Sequence, residues 1–235
     1  MTTLTPDQRL RQVRNSIHDT ESRYNRIPGS VRLIGVGKVH TADTVRHMVE
    51  LGLGDIGESY VHEAIAKQKL LKDLTVTWHY IGRIQSNKCR EIAMQFDWVH
   101  SVDRVKIARR LSEHRITETP NLNICLQLNL QHESSKRGFD SNDIDQAADE
   151  IGHLPRLRLR GLMAIPRFSD DFDEQRTIFR QVRVVFERLK ARGHDLDTLS
   201  MGMSGDMEAA IAEGATMVRI GTALFGPRPE YPNPG

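Results

Sequence analysis

Short apolar runs alternate with amphipathic segments eight times between residues 32 and 220, and this alternation constrains the fold more than any other feature. Apolar runs of this length predict buried strands, and the segments between them show the spacing of helices. Strand-helix alternation implies parallel strands with right-handed crossover connections. Eight such strands predict an α/β fold, a closed (β/α)8 barrel in a compact form that 235 residues can accommodate. An open doubly wound sheet is the alternative.

The predicted elements follow from the positions of these runs. The strands are Arg32–Val36, Asp55–Gly57, Thr77–Ile81, Trp98–Ser101, Asn123–Asn129, Arg158–Ala164, Thr198–Gly202 and Met217–Ile220. The intervening helices are Ala42–Leu51, Tyr60–Leu71, Ser86–Gln95, Arg104–Glu118, Asn142–Gly152, Phe172–Arg192 and Gly205–Glu213. An additional helix, Pro6 to about Tyr24, lies within residues 1–30, and the prolines of residues 227–235 predict an extended tail. We expect a single domain over residues 1–235.

The charge balance and the cysteine content exclude several classes of protein. The 33 Lys and Arg residues against 31 Asp and Glu give a net charge of +2, which provides no sustained basic surface for nucleic acid. No apolar run is long enough to cross a bilayer, and residues 1–14 lack the apolar core of a secretory leader. Cys89 and Cys125 are too few for a disulfide framework or a zinc site. We therefore expect a cytoplasmic protein with neither nucleic-acid nor membrane partners.

Lys38 lies where the first predicted strand ends and Thr41 begins a helix. The carboxyl end of a strand is where α/β proteins carry out their chemistry. A lysine held there with part of its hydration removed can lose its proton near neutral pH and attack an aldehyde. A solvated surface lysine is the alternative, so the rest of the chain has to decide between the two.

Patterns that would indicate other ligands are either incomplete or lie in the wrong structural context. The G-x-G-x-x-G pattern at Gly52–Gly57 follows a predicted helix and enters a strand, the reverse of the dinucleotide-binding arrangement. The pair Gly37-Lys38 lacks the upstream glycine and the following Ser or Thr of a P-loop. The ten histidines show no metal-ligand spacing, so we expect no metal.

Segments rich in small residues follow the last two predicted strands, at Ser200–Asp206 and Arg219–Gly226. Small residues let backbone N–H groups approach an anion, and a helix start after each segment adds its dipole. Loops after strands seven and eight are recurrent phosphate sites in such barrels, although each segment alone could be an ordinary turn. Polar segments Gly57–Tyr60 and Trp78–Lys88 fall on the same rim. Because barrel closure places strand eight beside strand one, Lys38 would face the anion site, which predicts a pocket for a phosphorylated aldehyde such as pyridoxal 5'-phosphate.

The chain resembles the YggS/PROSC-type pyridoxal phosphate homeostasis proteins over nearly its whole length. The resemblance rests on the motifs H-Y-I-G-x-I-Q-x-N-K, S-S-K-x-G, S-M-G-M-S-x-D and V-R-I-G-T-A-L-F-G. It implies a barrel similar to that of alanine racemases, with Lys38 carrying pyridoxal phosphate as an internal aldimine and Arg219 facing the pyridine nitrogen. It also implies that Ser204, Gly221 and Thr222 hold the phosphate. The cofactor-binding residues that we predict are Lys38, Ser59, His79, Met201, Ser204, Arg219, Gly221 and Thr222.

Two positions depart from the family pattern, and one residue limits the chemistry. Gly37 stands where Ser is common, and Ser59 where Asn is common.

Arg219 stays protonated and leaves the pyridine nitrogen unprotonated, which weakens the ring as an electron sink and disfavours transamination. Racemisation needs acid-base groups on both faces of the bound amino acid, and Lys38 supplies one. In alanine racemases the other comes from an additional domain and a partner chain, and 235 residues leave no room for that domain.

We therefore predict a monomeric carrier of pyridoxal phosphate rather than an enzyme, with apo-enzymes that require this cofactor as its expected partners. A weak amino-acid racemase is the alternative, with Tyr60, His79 or Tyr80 as the second base. An RNA-binding or protein-binding module built on the barrel is a remote third class. Lys136, in the S-S-K-x-G motif, is the competing lysine for the cofactor, or else part of a loop cap.

Overall fold

Eight parallel strands form a closed barrel, in which β8 returns to pair with β1. The computed structural model describes residues 4–130 and 137–227. The strands are β1 (Arg32–Val36), β2 (Asp55–Glu58), β3 (Thr77–Tyr80), β4 (Trp98–Val102), β5 (Leu122–Gln127), β6 (Leu157–Met163), β7 (Thr198–Ser200) and β8 (Met217–Ile220). The predicted (β/α)8 barrel is confirmed, and the open doubly wound alternative is wrong.

Helices connect the strands around the outside of the barrel. They are α1 (Pro6–Arg23), α2 (Ala42–Glu50), α3 (Val61–Leu70), α4 (Cys89–Gln95), α5 (Val105–His114), α6 (Ile144–Gly152), α7 (Phe172–Ala191), α8 (Met207–Ala212) and α9 (Thr222–Phe225), with a 3₁₀ turn at Ser86–Lys88. The predicted α5 extended to Glu118, but the helix ends at His114 because the buried Arg115 side chain bonds the carbonyl oxygens of Ala93, Phe96 and Pro120. The predicted seventh strand extended to Gly202, where the chain instead turns with φ +99°.

Two apolar clusters hold the barrel together. The larger lies between the strands and the helices, which explains why the predicted strands read as continuous apolar runs. The smaller fills the barrel and consists of Ile34, Trp98, Cys125, Met163 and Met217. Cys89 and Cys125 are both buried and are not joined in a disulfide.

Helix α1 packs against the elements that end the chain. Thr5 and Gln8 form a capping box at its start. The Arg9 Nε donates to the Leu224 carbonyl oxygen at 2.8 Å, and Arg26 donates to the carbonyl oxygens of Ile211 and Ala215. The predicted N-terminal helix is therefore confirmed. Of the predicted proline-rich tail, residues 228–235 lie outside the described residues.

Two further features of the described residues bear on function. None of their helices is long and apolar enough to span a bilayer. Within residues 4–130 and 137–227, no three His, Cys, Asp or Glu side chains are grouped so that they could hold a metal ion.

A buried ionic cluster on α3 holds the loop between β1 and α2. The Lys67 Nζ donates to the Gly37 carbonyl oxygen at 2.7 Å and to the Glu63 Oε1 at 2.6 Å. The same Glu63 oxygen accepts the Val39 backbone N–H at 2.7 Å. Val39 has a φ of +65°, which a β-branched side chain adopts only under strain. The two contacts on either side of Lys38 therefore hold a backbone conformation that the sequence alone disfavours.

Glu58 completes this cluster from β2. Its Oε1 lies 2.8 Å from the Lys67 Nζ, and its Oε2 is buried without a partner among the described residues. Burial raises the pKa of Glu58 to about 7, although the Lys67 ammonium acts in the opposite direction. Glu58 therefore changes its charge close to neutral pH, beside the loop that carries Lys38.

This raised pKa makes stability depend on pH. Because the folded protein binds the Glu58 proton more tightly than the unfolded chain, the free energy of unfolding should fall as pH rises from about 4.5 to about 7. Glu58→Gln removes this dependence. Relative to that of the wild type, its free energy of unfolding should therefore rise by about 2 to 3 kcal/mol as pH increases across this window. Urea denaturation at several pH values measures the difference.

Glu50→Gln is the matched control, since Glu50 is exposed at the end of α2. Its stability curve should run parallel to that of the wild type. A Glu58→Gln curve that is also parallel would show that Glu58 ionises with an ordinary pKa in the folded state.

Candidate functional site

The carboxyl ends of β7, β8, β1 and β2 are neighbours in the closed barrel, and most predicted site residues follow them. Lys38 lies two residues beyond β1 and is half-buried. Its ammonium makes no hydrogen bond or ion pair with the residues that the structure describes. The amine on this rim is therefore not committed to a structural contact.

The loop after β8 lies directly beside the end of β1. A Cβ atom at Gly221 would lie 3.6 Å from the Val36 Cβ and 3.8 Å from the Val36 carbonyl oxygen. The backbone N–H groups of Gly221 and Thr222 have no acceptor among the described residues, and Thr222 is exposed. The start of α9 thus presents free donors next to the strand that carries Lys38.

Gly202 and Asp206 determine the conformation of the loop after β7. Gly202 lies in the left-handed region, where a Cβ would also meet the Ala210 Cβ at 2.7 Å. Asp206 accepts the Met203 backbone N–H at 2.6 Å, which closes a turn around the exposed residues Ser204 and Gly205. Burial raises the pKa of Asp206 above its usual range, and the nearby Arg219 charge partly opposes this.

Arg219 points into the barrel from β8 and is only 4% exposed. Its Nη1 donates to the Ser200 carbonyl oxygen at 2.6 Å and to the Ser200 Oγ at 2.7 Å, while its Nη2 donates to the Ala164 carbonyl oxygen at 3.0 Å. Burial lowers the pKa of Arg219 to about 10, so the guanidinium remains charged at neutral pH. Its Nε–H and one Nη2–H donate to no described residue, which leaves two N–H groups for a ligand.

Ser59 follows β2 at the edge of a cavity of about 480 Å³ that Arg83 and Lys88 also line. Gly82 packs against the Ser59 backbone so closely that a Cβ there would lie 2.1 Å from the Ser59 carbonyl oxygen. Only glycine fits at this position. The ends of β2 and β3 are therefore locked together, with Ser59 half-buried between them.

Two predicted residues do not lie on the rim. His79 is fully buried inside the barrel, where its ring nitrogens contact Asp55 and His100, each at 2.9 Å. Met201 is also fully buried, but its side chain lies in the outer apolar cluster between strands and helices. Neither side chain faces the mouth. His79 lies too deep, and Met201 points away from the barrel axis because successive strand residues alternate between faces.

Most of the residues that could serve as the second base in racemisation already have their polar atoms in hydrogen bonds. Tyr80 is 3% exposed, donates its hydroxyl to the Arg83 carbonyl oxygen at 2.9 Å, and packs edge-on against Phe96. Burial raises the pKa of Tyr80 to about 12. Tyr60 is 58% exposed at the start of α3. The competing lysine, Lys136, lies outside the described residues.

Sequence reasoning missed three groups that support the site. They are Lys67 with Glu63 beneath the Lys38 loop, His100 with Ser200 beneath Arg219, and Asp206 in the turn after β7. Glu63 and Lys67 are four residues apart, a spacing typical of a surface ion pair. Asp206 had a usable signal, because an aspartate three residues beyond Met203 is typical of a side-chain-capped turn.

The donor set fits a phosphorylated aldehyde. Backbone N–H groups and two hydroxyls, from Ser204 and Thr222, suit an anion at the ends of β7 and β8. The uncommitted amine of Lys38 lies beside them on β1, and the charged Arg219 lies just below. An anion anchor beside a free amine matches a ligand that carries both a phosphate and a carbonyl group.

The family model described as "Alanine racemase, N-terminal domain" matches residues 14–229. A pyridoxal phosphate homeostasis protein of Pseudomonas aeruginosa is 50% identical over 221 residues, covering 94% of this chain and 95% of that protein. The Escherichia coli K12 protein of the same name is 46% identical over 222 residues, covering 93% and 95%.

A solved structure gives the same result. PipY of Synechococcus elongatus, described with pyridoxal phosphate bound, superposes with a TM-score of 0.80 at 38% identity. The match covers 89% of this chain and all of the PipY chain (100%). These findings confirm the resemblance seen in the motifs. The chain belongs to the pyridoxal phosphate homeostasis proteins, within the family of the alanine racemase N-terminal domain.

Proposed function

We propose that this protein binds pyridoxal phosphate at the barrel mouth, holds it as a Schiff base on Lys38 and takes part in intracellular supply of the cofactor. Its membership of the homeostasis family and the ligand described for PipY support the identity of the ligand. One observation carries the assignment of residues. The uncommitted Lys38 amine lies two residues beyond Val36, and Val36 lies against the free donors of Gly221.

Each group at the mouth has a separate task. Pyridoxal phosphate supplies an aldehyde carbon that an amine can attack. The N–H groups of Gly221 and Thr222, together with the Ser204 hydroxyl, hold the phosphate. The Arg219 guanidinium donates a hydrogen bond toward the ring and keeps its own proton, because its pKa of about 10 is far above neutral pH. The ring therefore remains a weak electron sink, which suits storage better than catalysis.

We propose a carrier rather than an enzyme. Racemisation requires a second acid-base group opposite Lys38. His79 and Tyr80 have their polar atoms in structural hydrogen bonds, which leaves the exposed Tyr60 as the remaining candidate of the three. Apo-enzymes that require pyridoxal phosphate are the partners that we propose, with the protein acting in the cytoplasm as a monomer.

The first test concerns Lys38. Borohydride reduction of the protein loaded with pyridoxal phosphate should fix the cofactor onto the Lys38 peptide, and Lys38→Ala should abolish this covalent product while phosphate-dependent binding remains. Peptide mass spectrometry measures the modification. Lys72→Ala, at an exposed position after α3, is the matched control and should be modified like the wild type. Modification of Lys136 in the wild type would overturn the assignment.

The second test concerns the phosphate loops. Ser204→Ala and Thr222→Val each remove one hydroxyl donor to a charged group, worth roughly 1.5 to 3 kcal/mol. Retention of pyridoxal phosphate should fall on the order of tenfold to a hundredfold, while the covalent link still forms. Dialysis followed by absorbance measures retention. Ser22→Ala, on the exposed face of α1, should retain the cofactor fully. Unchanged retention in both loop variants would move the phosphate elsewhere.

The third test separates a carrier from a racemase. The loaded protein incubated with L-alanine or D-alanine should show at most a slow spectral change, without accumulation of the opposite enantiomer, because the polar atoms of His79 and Tyr80 are engaged in structural hydrogen bonds. Chiral chromatography measures the product. Sustained turnover that disappears in both Lys38→Ala and Tyr60→Phe would identify a racemase with Tyr60 as its second base.

A further inference from the structure

A chain of hydrogen bonds crosses the inside of the barrel and ends on Arg219. We call its four members, Asp55, His79, His100 and Ser200, the interior chain. The Asp55 Oδ1 lies 2.9 Å from the His79 Nε2, and the His79 Nδ1 lies 2.9 Å from the His100 Nε2. The His100 Nδ1 lies 2.7 Å from the Ser200 Oγ, which is 2.7 Å from the Arg219 Nη1. Five strands of the barrel contribute one residue each.

The carboxylate at one end and the two buried rings between fix the direction of these bonds. A guanidinium only donates and a carboxylate only accepts, so Arg219 donates to the Ser200 Oγ and the His79 Nε2–H donates to Asp55. When both rings are neutral, the His79 Nδ1 accepts the His100 Nε2–H, and the His100 Nδ1 accepts the Ser200 hydroxyl proton. Both histidines are then Nε2–H tautomers.

The surroundings of the interior chain favour this neutral arrangement. His79, His100 and Ser200 are all fully buried, and the Trp98 ring stacks on His79 with centroids 5.7 Å apart. Burial lowers the pKa of His79, although Asp55 partly opposes this, and lowers that of His100 well below its usual range. In such a dry interior each hydrogen bond polarises the next, and a group left unpaired is costly. Asp55, at the far end, also lies 3.5 Å from the Arg32 Nη1.

Arg219 has two other anchors, the carbonyl oxygens of Ser200 and Ala164. These fix the positions of its terminal nitrogens. The bond to the Ser200 hydroxyl adds a hydrogen-bonded link through both histidines to Asp55, an acceptor at the opposite end of the barrel. The four residues of the interior chain do not reach the mouth of the barrel, but they are linked by hydrogen bonds to Arg219, which does.

We propose that the interior chain is a positioning device for Arg219, which holds its guanidinium as a charged donor toward the cofactor ring. This inference rests on the proposed function and deepens it, because it assigns an indirect role at the binding site to residues that do not contact the ligand. His79 acts on the cofactor through His100, Ser200 and Arg219 rather than by contact. The interior chain also explains why a histidine pair occupies an otherwise apolar barrel interior.

The experiment disrupts the interior chain at each end and measures ligand binding at the mouth of the barrel. Ser200→Ala removes the link next to Arg219 but keeps both carbonyl anchors, and Asp55→Ala removes the terminal acceptor at the opposite end. Asp55→Asn keeps an acceptor oxygen and serves as the conservative variant. Ser112→Ala is the matched control, because Ser112 is equally buried and donates to the Pro155 carbonyl oxygen on the outside of the barrel.

Binding is measured with pyridoxine 5'-phosphate, which has the ring and phosphate but no aldehyde and so does not depend on Lys38. Ser200→Ala and Asp55→Ala should weaken binding on the order of threefold to tenfold and shift the absorption maximum of bound pyridoxal phosphate. Asp55→Asn should restore most of the affinity, and Ser112→Ala should bind like the wild type. Variants that lose thermal stability while keeping wild-type affinity and spectrum would overturn the proposal.

A second measurement needs no ligand. Long-range proton-nitrogen NMR spectra of the ligand-free wild type should show His79 and His100 as neutral Nε2–H tautomers at neutral pH. An Nδ1–H tautomer at either histidine would reverse a bond and overturn the proposal. Failure of the wild type to bind pyridoxal phosphate would instead refute the proposed function, so the two failures are distinguishable.

Discussion

Pairing between β8 and β1 is the interaction on which the site depends. Their register runs from Arg32 beside Met217 to Gly35 beside Ile220. This pairing places the end of β1, with Lys38 beyond it, next to the donors of the loop after β8. In an open sheet the first and last strands would lie at opposite edges, and the Lys38 amine and the loops after β7 and β8 would be separated by the width of the sheet. Closure of the barrel therefore brings the residues of the proposed site together.

At two places in this protein, buried charges are held by different kinds of contact. Outside the barrel wall, Lys67 and two glutamates form a compact ionic cluster, in which one carboxylate oxygen has no partner among the residues that the structure describes. Inside the barrel, the charge of Arg219 is linked to a distant carboxylate through neutral histidines. The first arrangement fixes a strained loop through direct ionic contacts. The second holds a buried guanidinium in place through a chain of hydrogen bonds that crosses the barrel interior.

The sequence predicted the barrel correctly, because this fold depends on periodicity. Alternation of strands and helices specifies the barrel, and the residues that follow each strand must share one rim. It could not show that the Met201 side chain lies in the outer apolar cluster, because a strand of three residues is too short to show which face is buried. It could not show how deep His79 lies, because sequence gives the face of a strand residue but not its depth along the barrel axis. The strained Val39 could not be foreseen, since tertiary contacts with α3 impose its conformation.

The anchoring of α1 also has a consequence for how the protein is made. Arg9 and Arg26 bond carbonyl oxygens near the end of the chain, and Arg9 and Leu224 are 215 residues apart in sequence. Helix α1 therefore leaves the ribosome long before its partners have been synthesised. Contacts of such long sequence separation slow folding and leave the early segments exposed for longer. The proposed ligand site cannot form on the nascent chain before β8 and the loop after it have been synthesised, because they lie beside the end of β1.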